Sequence, residues 1–263
     1  MDYASYRTIK AQHDGGVLVL RLDRPPMNAV DGVMHAELAT IFADVARDPD
    51  ARAVVLTGAG RAFSAGGDAA WFQTVQDDPR AFDLVQREAR QIIHTLLDLE
   101  TPVIAAVNGA ATGLAATIAL FSDTIFMADT ARIGDPHVRM GIVAGDGGAI
   151  IWPWLLGPAR AKEYLMTGEL LDAAMAERVG LVNHVVPAAD CVPRAVEFAR
   201  KLAGGPILAI RWTKLSVNKL LRASVDLVLD ASLALEAQTF RTEDHREAVR
   251  AFVEKRAPEF RGR

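Results

Sequence analysis

The chain has 263 residues, 51% of them hydrophobic, and a formal charge of −4 at neutral pH. That length suits one large domain or a domain with a smaller appendage, and it buries roughly three quarters of the unfolded surface with no need of a disulfide or metal staple. The mild acidity and the lack of a basic stripe argue against nucleic acid, and the single cysteine, Cys191, cannot pair internally and fits a reducing compartment.

The opening MDYASYRTIKAQ lacks the basic-then-apolar pattern of a signal peptide. VLVLRL (17–22) is apolar and β-branched and stops at Asp23-Arg-Pro-Pro26, which predicts a strand and a turn. Residues 31–47 place Val33, Leu38, Ile41, Phe42 and Val45 at helical spacing behind Asp31, a good N-cap. ARAVVLTG (51–58) reads as a buried strand, GAGRAFSAGGD (58–68) as a glycine-rich loop, and 80–98 as a long amphipathic helix. Asp68 is placed to cap a helix that follows it.

VIAAV then forms a strand ending at Asn108-Gly109, followed by a buried helix over 113–122 and a strand over 123–128. The apolar window from Val103 to Leu120 is broken by Asn108, by glycine and by two threonines, and is too interrupted to span a membrane. These features predict a soluble, cytoplasmic protein. Strands alternating with helices imply an α/β sheet built from βαβ-type units. VNHVV (182–186) is a last short strand, and 189–203, 207–222, 225–242 and 244–255 carry helical periodicity. The expected organisation is an α/β core over 1–203 and a helical region over 204–263, with a soft boundary at Gly204-Gly205-Pro206.

One stretch is chemically unusual. IGDPHVRMGIVAGDGG (133–148) packs five glycines, one proline, two aspartates and a histidine into sixteen residues. His137 and Asp146 lie nine apart on a segment too rich in glycine for a helix. Imidazole titrates near neutral pH and suits acid–base work, and a carboxylate is the usual group that orients it. Asp146 is the expected orienting partner, and it also suits an N-cap of a helix beginning near Gly147.

LDRPPMNAV (22–30), VVLTGAGRAFSAGGD (54–68), PVIAAVNGAATG (102–113), SDTIFMADTARIGDP (122–136), GDGG (145–148), TGELLDAAMAERVGLVNHVVP (167–187) and REAVRAFVEKRAPEF (246–260) together resemble the crotonase superfamily, which includes enoyl-CoA hydratases and isomerases. The match runs nearly end to end and keeps family order. The resemblance implies a spiral of ββα units with a C-terminal helical trimerisation region, hence a homotrimer or dimer of trimers. It implies an acyl-CoA thioester as substrate, with no separate cofactor or metal, and an enolate oxyanion held by two backbone N–H groups. Matching the motifs puts those donors at Gly67 and Leu114. It further suggests substrate contacts from Arg24, Ala65, Asp68, Thr117 and Lys255, with Arg61 as another cation that could meet nucleotide phosphates and with Lys255 and Arg256 reaching the adenosine end from a neighbouring subunit.

The pattern departs from the family where hydratases carry two glutamates. The first position is Thr117 and the second is His137. A threonine hydroxyl is no acid or base near neutral pH, though it hydrogen-bonds, so two-glutamate hydration is in doubt. A similar histidine–aspartate pair followed by a tryptophan-containing helix occurs in oxocamphor hydrolase, a superfamily member that cleaves a carbon–carbon bond in a cyclic β-diketone. Three readings follow: enolate chemistry on an acyl-CoA with His137 as acid/base, β-diketone hydrolysis without CoA, and a non-catalytic binding or assembly protein. Glu236, on a C-terminal helix, could approach the site, with a packing or interface face the simpler reading. His35, His94, His184 and His245 read as structural or exposed. Trp71, Trp152 and Trp154 are candidates for an acyl pocket, with core packing the simpler reading. No Cys/His cluster suggests a metal.

Overall fold

The computed structural model describes all 263 residues apart from the side chains of Asp77 and Pro79. It opens with a hairpin, β1 (Ile9–Asp14) and β2 (Val17–Leu22), then α1 (Gly32–Ala46). Asp31 caps α1 by accepting from the Met34 N–H at 2.9 Å. β3 (Ala53–Gly58) and β4 (Ala62–Ser64) lead into α2 (Ala69–Asp77) and α3 (Pro79–Asp98). β5 (Val103–Val107) and β6 (Ala110–Thr112) precede α4 (Leu114–Leu120), and β7 (Thr124–Ala128) and β8 (Arg132–Gly134) precede a 3-10 turn at His137–Met140 and α5 (Gly148–Leu156).

The hairpin lies wholly in one sheet, and each of the three later strand pairs gives one strand to that sheet and one to a second. The larger sheet runs β1-β2-β3-β5-β7, closed at its far edge by β10 (His184–Val186). The smaller runs β4-β6-β8, with β9 (Leu171–Asp172) antiparallel at its end. Apart from the hairpin, the large sheet is parallel. Its inner strands, such as β3 and β5, are buried on both faces, as parallel strands are, and so read as unbroken apolar runs. Repetition of this two-sheet unit makes a spiral, as expected from the sequence. β1 and the three-residue strands of the small sheet escape the sequence patterning, because they are too short or too exposed to show a period.

After α6 (Pro158–Thr167) and α7 (Ala173–Arg178), α8 (Cys191–Ala203) lies across β2, β3, β5 and β7. The two helices expected over 207–222 and 225–242 are one helix, α9 (Ile207–Phe240). No glycine or proline falls between them, and Arg222 pairs with Asp226 one turn on at 2.9 Å, across the expected break. The second half of α9 turns one face inward, through Val225, Leu229, Ser232, Leu233, Glu236, Ala237 and Phe240, while Trp212, Leu220 and Leu227 are exposed. α10 (Glu243–Glu254) follows, capped by Thr242, and packs on α2 and on the 3-10 turn. Among the described residues no helix is long and apolar enough to cross a membrane.

Candidate active site

Two loops from neighbouring turns of the spiral face each other. The first leaves β4. Val30 donates to the Gly66 carbonyl at 2.7 Å and accepts from Asp68 at 2.9 Å, so the intervening Gly67 turns its own N–H away from that bridge. Asn28, 1% exposed, donates to the carbonyls of Ala59 and Ala62 at 2.9 Å each and fixes the base of this loop. Phe72 lies over Gly67 so closely that a β-carbon there would stand 2.1 Å from its ring, so any larger residue would have to displace the ring. The second loop leaves β6: Gly113, at φ +58°, donates to the Gly134 carbonyl at 3.1 Å, and Leu114 is the first residue of α4. A first-turn amide has no acceptor within its own helix, and among the described residues the N–H groups of Gly67 and Leu114 take no protein acceptor.

His137 stands beside the second loop, where a β-carbon on Gly113 would be 3.5 Å from its Cε1. Its partner at Nδ1 is Asp135, a buried residue two positions earlier, which also accepts from the His137 backbone N–H at 3.3 Å. This corrects the sequence expectation. Asp146 lies on the other side of the ring, with Oδ2 3.6 Å from Nε2. Nor does Asp146 cap α5. Gly147 is the N-cap residue and no side chain caps that end, while Asp146 Oδ1 is buried without a partner. The glycines of GDGG have a steric reason: a β-carbon on Gly148 would stand 2.2 Å from Asp135 Oδ2. The donor atoms of Asp135, His137 and Asp146 lie within 4.8 Å of one another. The imidazole stands between the two carboxylates, hydrogen-bonded to Asp135 through Nδ1 and facing Asp146 with Nε2.

Burial alone would lower the His137 pKa, but the Asp135 and Asp146 carboxylates outweigh it and hold the imidazole well above its ordinary value. Asp146 is raised by burial against the pull of His137. Glu236, on α9, is raised well above the ordinary carboxyl range by burial and then by the neighbouring Asp146 charge. It packs against Gly145, where a β-carbon would be 2.6 Å from its Oε2. A group with a raised folded pKa contributes stability that is complete below its unfolded value and lost as pH rises through its folded value. Melting curves of wild type and Glu236→Gln across pH should therefore diverge in favour of the glutamine variant above the ordinary glutamate range. The gain should be about 1.4 kcal/mol per pH unit until the folded value is passed. Parallel curves would mean that Glu236 is charged in the folded protein.

His137 stands between two cavities. The inner one, of about 50 Å³, is walled by Trp71, Phe72, Phe82 and Phe240, with His35, Asp146 and Glu236 as its other polar side chains besides Gln86. The outer cleft, of about 290 Å³, runs from Gly67 and Gly113 past Arg139 to Phe252 and Arg256. Gly67, Phe72, His137 and Ile142 line both.

The other expected contacts are distributed unevenly. Ala65 lines the outer cleft. Arg24 is fully engaged, with Asp31 at 2.8 Å, Asp68 at 2.9 Å and the Ala29 carbonyl at 3.1 Å, so it braces the first loop instead of presenting a free cation. Asp68 is held by that pair and caps α2 through Ala70 at 2.9 Å and Trp71 at 3.3 Å. Thr117 is fully buried, with its methyl group against Gly147, and lines neither cavity. Lys255 is exposed at the end of α10 and outside the cleft walls, and Arg256 is paired with Glu247 and Glu254. Of the tryptophans only Trp71 reaches the pocket, Trp152 being in the core and Trp154 exposed.

His35 lines the inner cavity, contrary to the sequence reading, and Glu236 lines it too, which is the less simple of its two readings. A lone acid inside the buried stripe of α9 was the available signal for Glu236. His35 had none beyond its helical spacing with Leu38.

A family model described as enoyl-CoA hydratase/isomerase matches residues 12–263. A probable enoyl-CoA hydratase of Mycobacterium tuberculosis is 35% identical over 257 residues, which cover 97% of this chain and 98% of that protein. An enoyl-CoA hydratase/isomerase structure from Mycobacterium paratuberculosis superposes with a TM-score of 0.91 at 38% identity, covering 94% of this chain and 99% of its own. A β-diketone hydrolase from Anabaena sp. PCC 7120, bound to (S)-3-oxocyclohexyl acetic acid, superposes with a TM-score of 0.85 at 36% identity, covering 91% and 96%.

Proposed function

The chain belongs to the enoyl-CoA hydratase/isomerase family, and from that premise we propose that it acts on an acyl-CoA thioester through an enolate, with His137 as the acid–base group. The observation that carries the reading is the position of His137, braced by Asp135, where the two cavities meet beside Gly67 and Leu114. A thioester carbonyl seated between those two N–H groups gains most when its oxygen becomes negative, since the donors are fixed in advance in a dry site. The outer cleft suits the thioester arm, and the apolar walls of the small inner cavity suit the end of the acyl group. His137 Nε2 then moves the proton at the substrate carbon, and Asp135 holds the ring and stabilises its charged form.

This arrangement supports proton transfer more than hydration. Adding water across a double bond needs one group to activate the water and one to move the proton, and Thr117, a buried hydroxyl that lines neither cavity, can do neither near neutral pH. Crotonyl-CoA hydration is therefore expected to be very slow beside a two-glutamate family member. A Thr117→Glu, His137→Glu double variant should recover part of it. Fast hydration by the unaltered enzyme in a spectrophotometric assay would overturn the assignment of roles.

A second reading is hydrolysis of a β-diketone without CoA. It is favoured by the internal pairing of Arg24 and Arg256, which leaves neither free for nucleotide phosphates, and by the similarity to the β-diketone hydrolase. Here His137 takes a proton from water as the water oxygen attacks one carbonyl. The carbon–carbon bond breaks, its electrons pass to the second carbonyl as an enolate held by the two N–H groups, and that enolate is protonated on carbon. Calorimetric titration with CoA and acyl-CoA separates the readings. Tight binding supports the thioester, and absence of binding with turnover of a cyclic β-diketone supports the hydrolase.

A further inference from the structure

The inner cavity holds a second imidazole that this chemistry does not use. His35 is 3% exposed on α1, and its Nδ1 lies 2.6 Å from Glu88 Oε2 on α3. Its ring stands 5.3 Å from that of Trp71. Trp71 in turn presses on Gly32, where a β-carbon would be 3.1 Å from the indole nitrogen, so the two rings are wedged into one wall of the pocket. A carboxylate only accepts, so the hydrogen shared with Glu88 sits on Nδ1 and Nε2 is turned away from α3. Among the described residues Nε2 has no hydrogen-bond partner, and it is not sealed from the cavity as the partnerless nitrogens of His94 and His245 are sealed in the protein. Asp146 lines the same cavity as His35, on the side where His137 stands.

An imidazole nitrogen left open in a wall of Val30, Trp71, Val85 and Ala89 is unfavourable unless something fills its hydrogen bond. We propose that His35 is a substrate-recognition residue whose Nε2 hydrogen-bonds an oxygen carried on the acyl group, so that the enzyme takes oxo- or hydroxyacyl substrates in preference to plain alkyl chains. Neutral, Nε2 accepts from a hydroxyl; protonated, it donates to a carbonyl. The inference rests on the acyl-thioester reading above for its substrate class. A site built to hydrogen-bond one oxygen rejects the analogue lacking it far more strongly than an apolar pocket rejects a change of one methylene.

The test is calorimetric binding of two sets of isosteric probes to the intact enzyme. The first sets hexanoyl-CoA against 3-oxo-, 4-oxo- and 5-oxohexanoyl-CoA. The second sets methylenecyclohexane against cyclohexanone and needs no CoA. In each set the wild type should bind an oxygenated member at least about tenfold more tightly than its plain partner. In His35→Leu, which keeps the volume, that ratio should fall to about one while the plain members bind as before. If His35 merely ties α1 to α3, His35→Leu would lower the melting temperature and leave the ratio unchanged, which overturns the proposal. A wild-type ratio near one overturns it without recourse to a variant, as does failure of every probe to bind. Loss of the CoA set alone, with a His35-dependent preference for cyclohexanone, removes the thioester and upholds the role of His35.

Discussion

Replacing His137 by alanine is expected to lower turnover at least ~100-fold, with Asp135→Asn close behind it. In this reading Asp135 is a positioning residue: its carboxylate meets Nδ1 and favours the imidazolium, while Nε2 lies beside Gly113 and Asp146. An asparagine keeps the shape but removes the charge and permits the wrong tautomer. The double variant should be little worse than His137→Ala alone, because residues acting as a unit are non-additive. A second readout separates orientation from mere structure. The Asp135 carboxylate helps hold the His137 pKa up, so its removal should shift the histidine limb of the kcat/KM–pH profile to lower pH. Additive losses, or an unmoved limb with full activity in Asp135→Asn, would show that the pair does not work as a dyad.

The second large effect concerns Leu114. If its N–H is an oxyanion donor, Leu114→Pro should cost roughly 100- to 1,000-fold in kcat, the usual cost of deleting one such donor. The fold should survive. Leu114 is the first residue of α4, where proline is well tolerated, and the residue before it is Gly113, which accepts the backbone restriction that a following proline imposes. Leu114→Gly keeps the N–H and removes a side chain that lines the inner cavity, so it should retain most of the activity and accept bulkier acyl groups. A well-folded but inactive Leu114→Gly, judged by melting temperature and steady-state kinetics, would refute the assignment.

The parts of this protein that its sequence determined are those with local causes. Asp31 and Asp68 cap helices through atoms two or three residues away. β3 and β5 read as strands because strands buried on both faces must be apolar throughout. The two glycine-rich loops and His137 were legible because close backbone approach tolerates few residue types, as the contact of Gly67 with Phe72 shows. Tertiary structure alone decided which groups meet. Asp135 and Asp146 were equally available in the sequence, and the path of the chain through the 3-10 turn put the first at Nδ1 and the second across the ring. Glu236 and His35 lie about a hundred residues to either side of His137. Packing of α9 and α1 around one small cavity brings them to it, and no local spacing encodes that. Arg24 shows the same limit from the other side. Its charge is plain in the sequence, but its commitment to Asp31 and Asp68 follows from where two helix caps converge, and only the folded chain sets that distance.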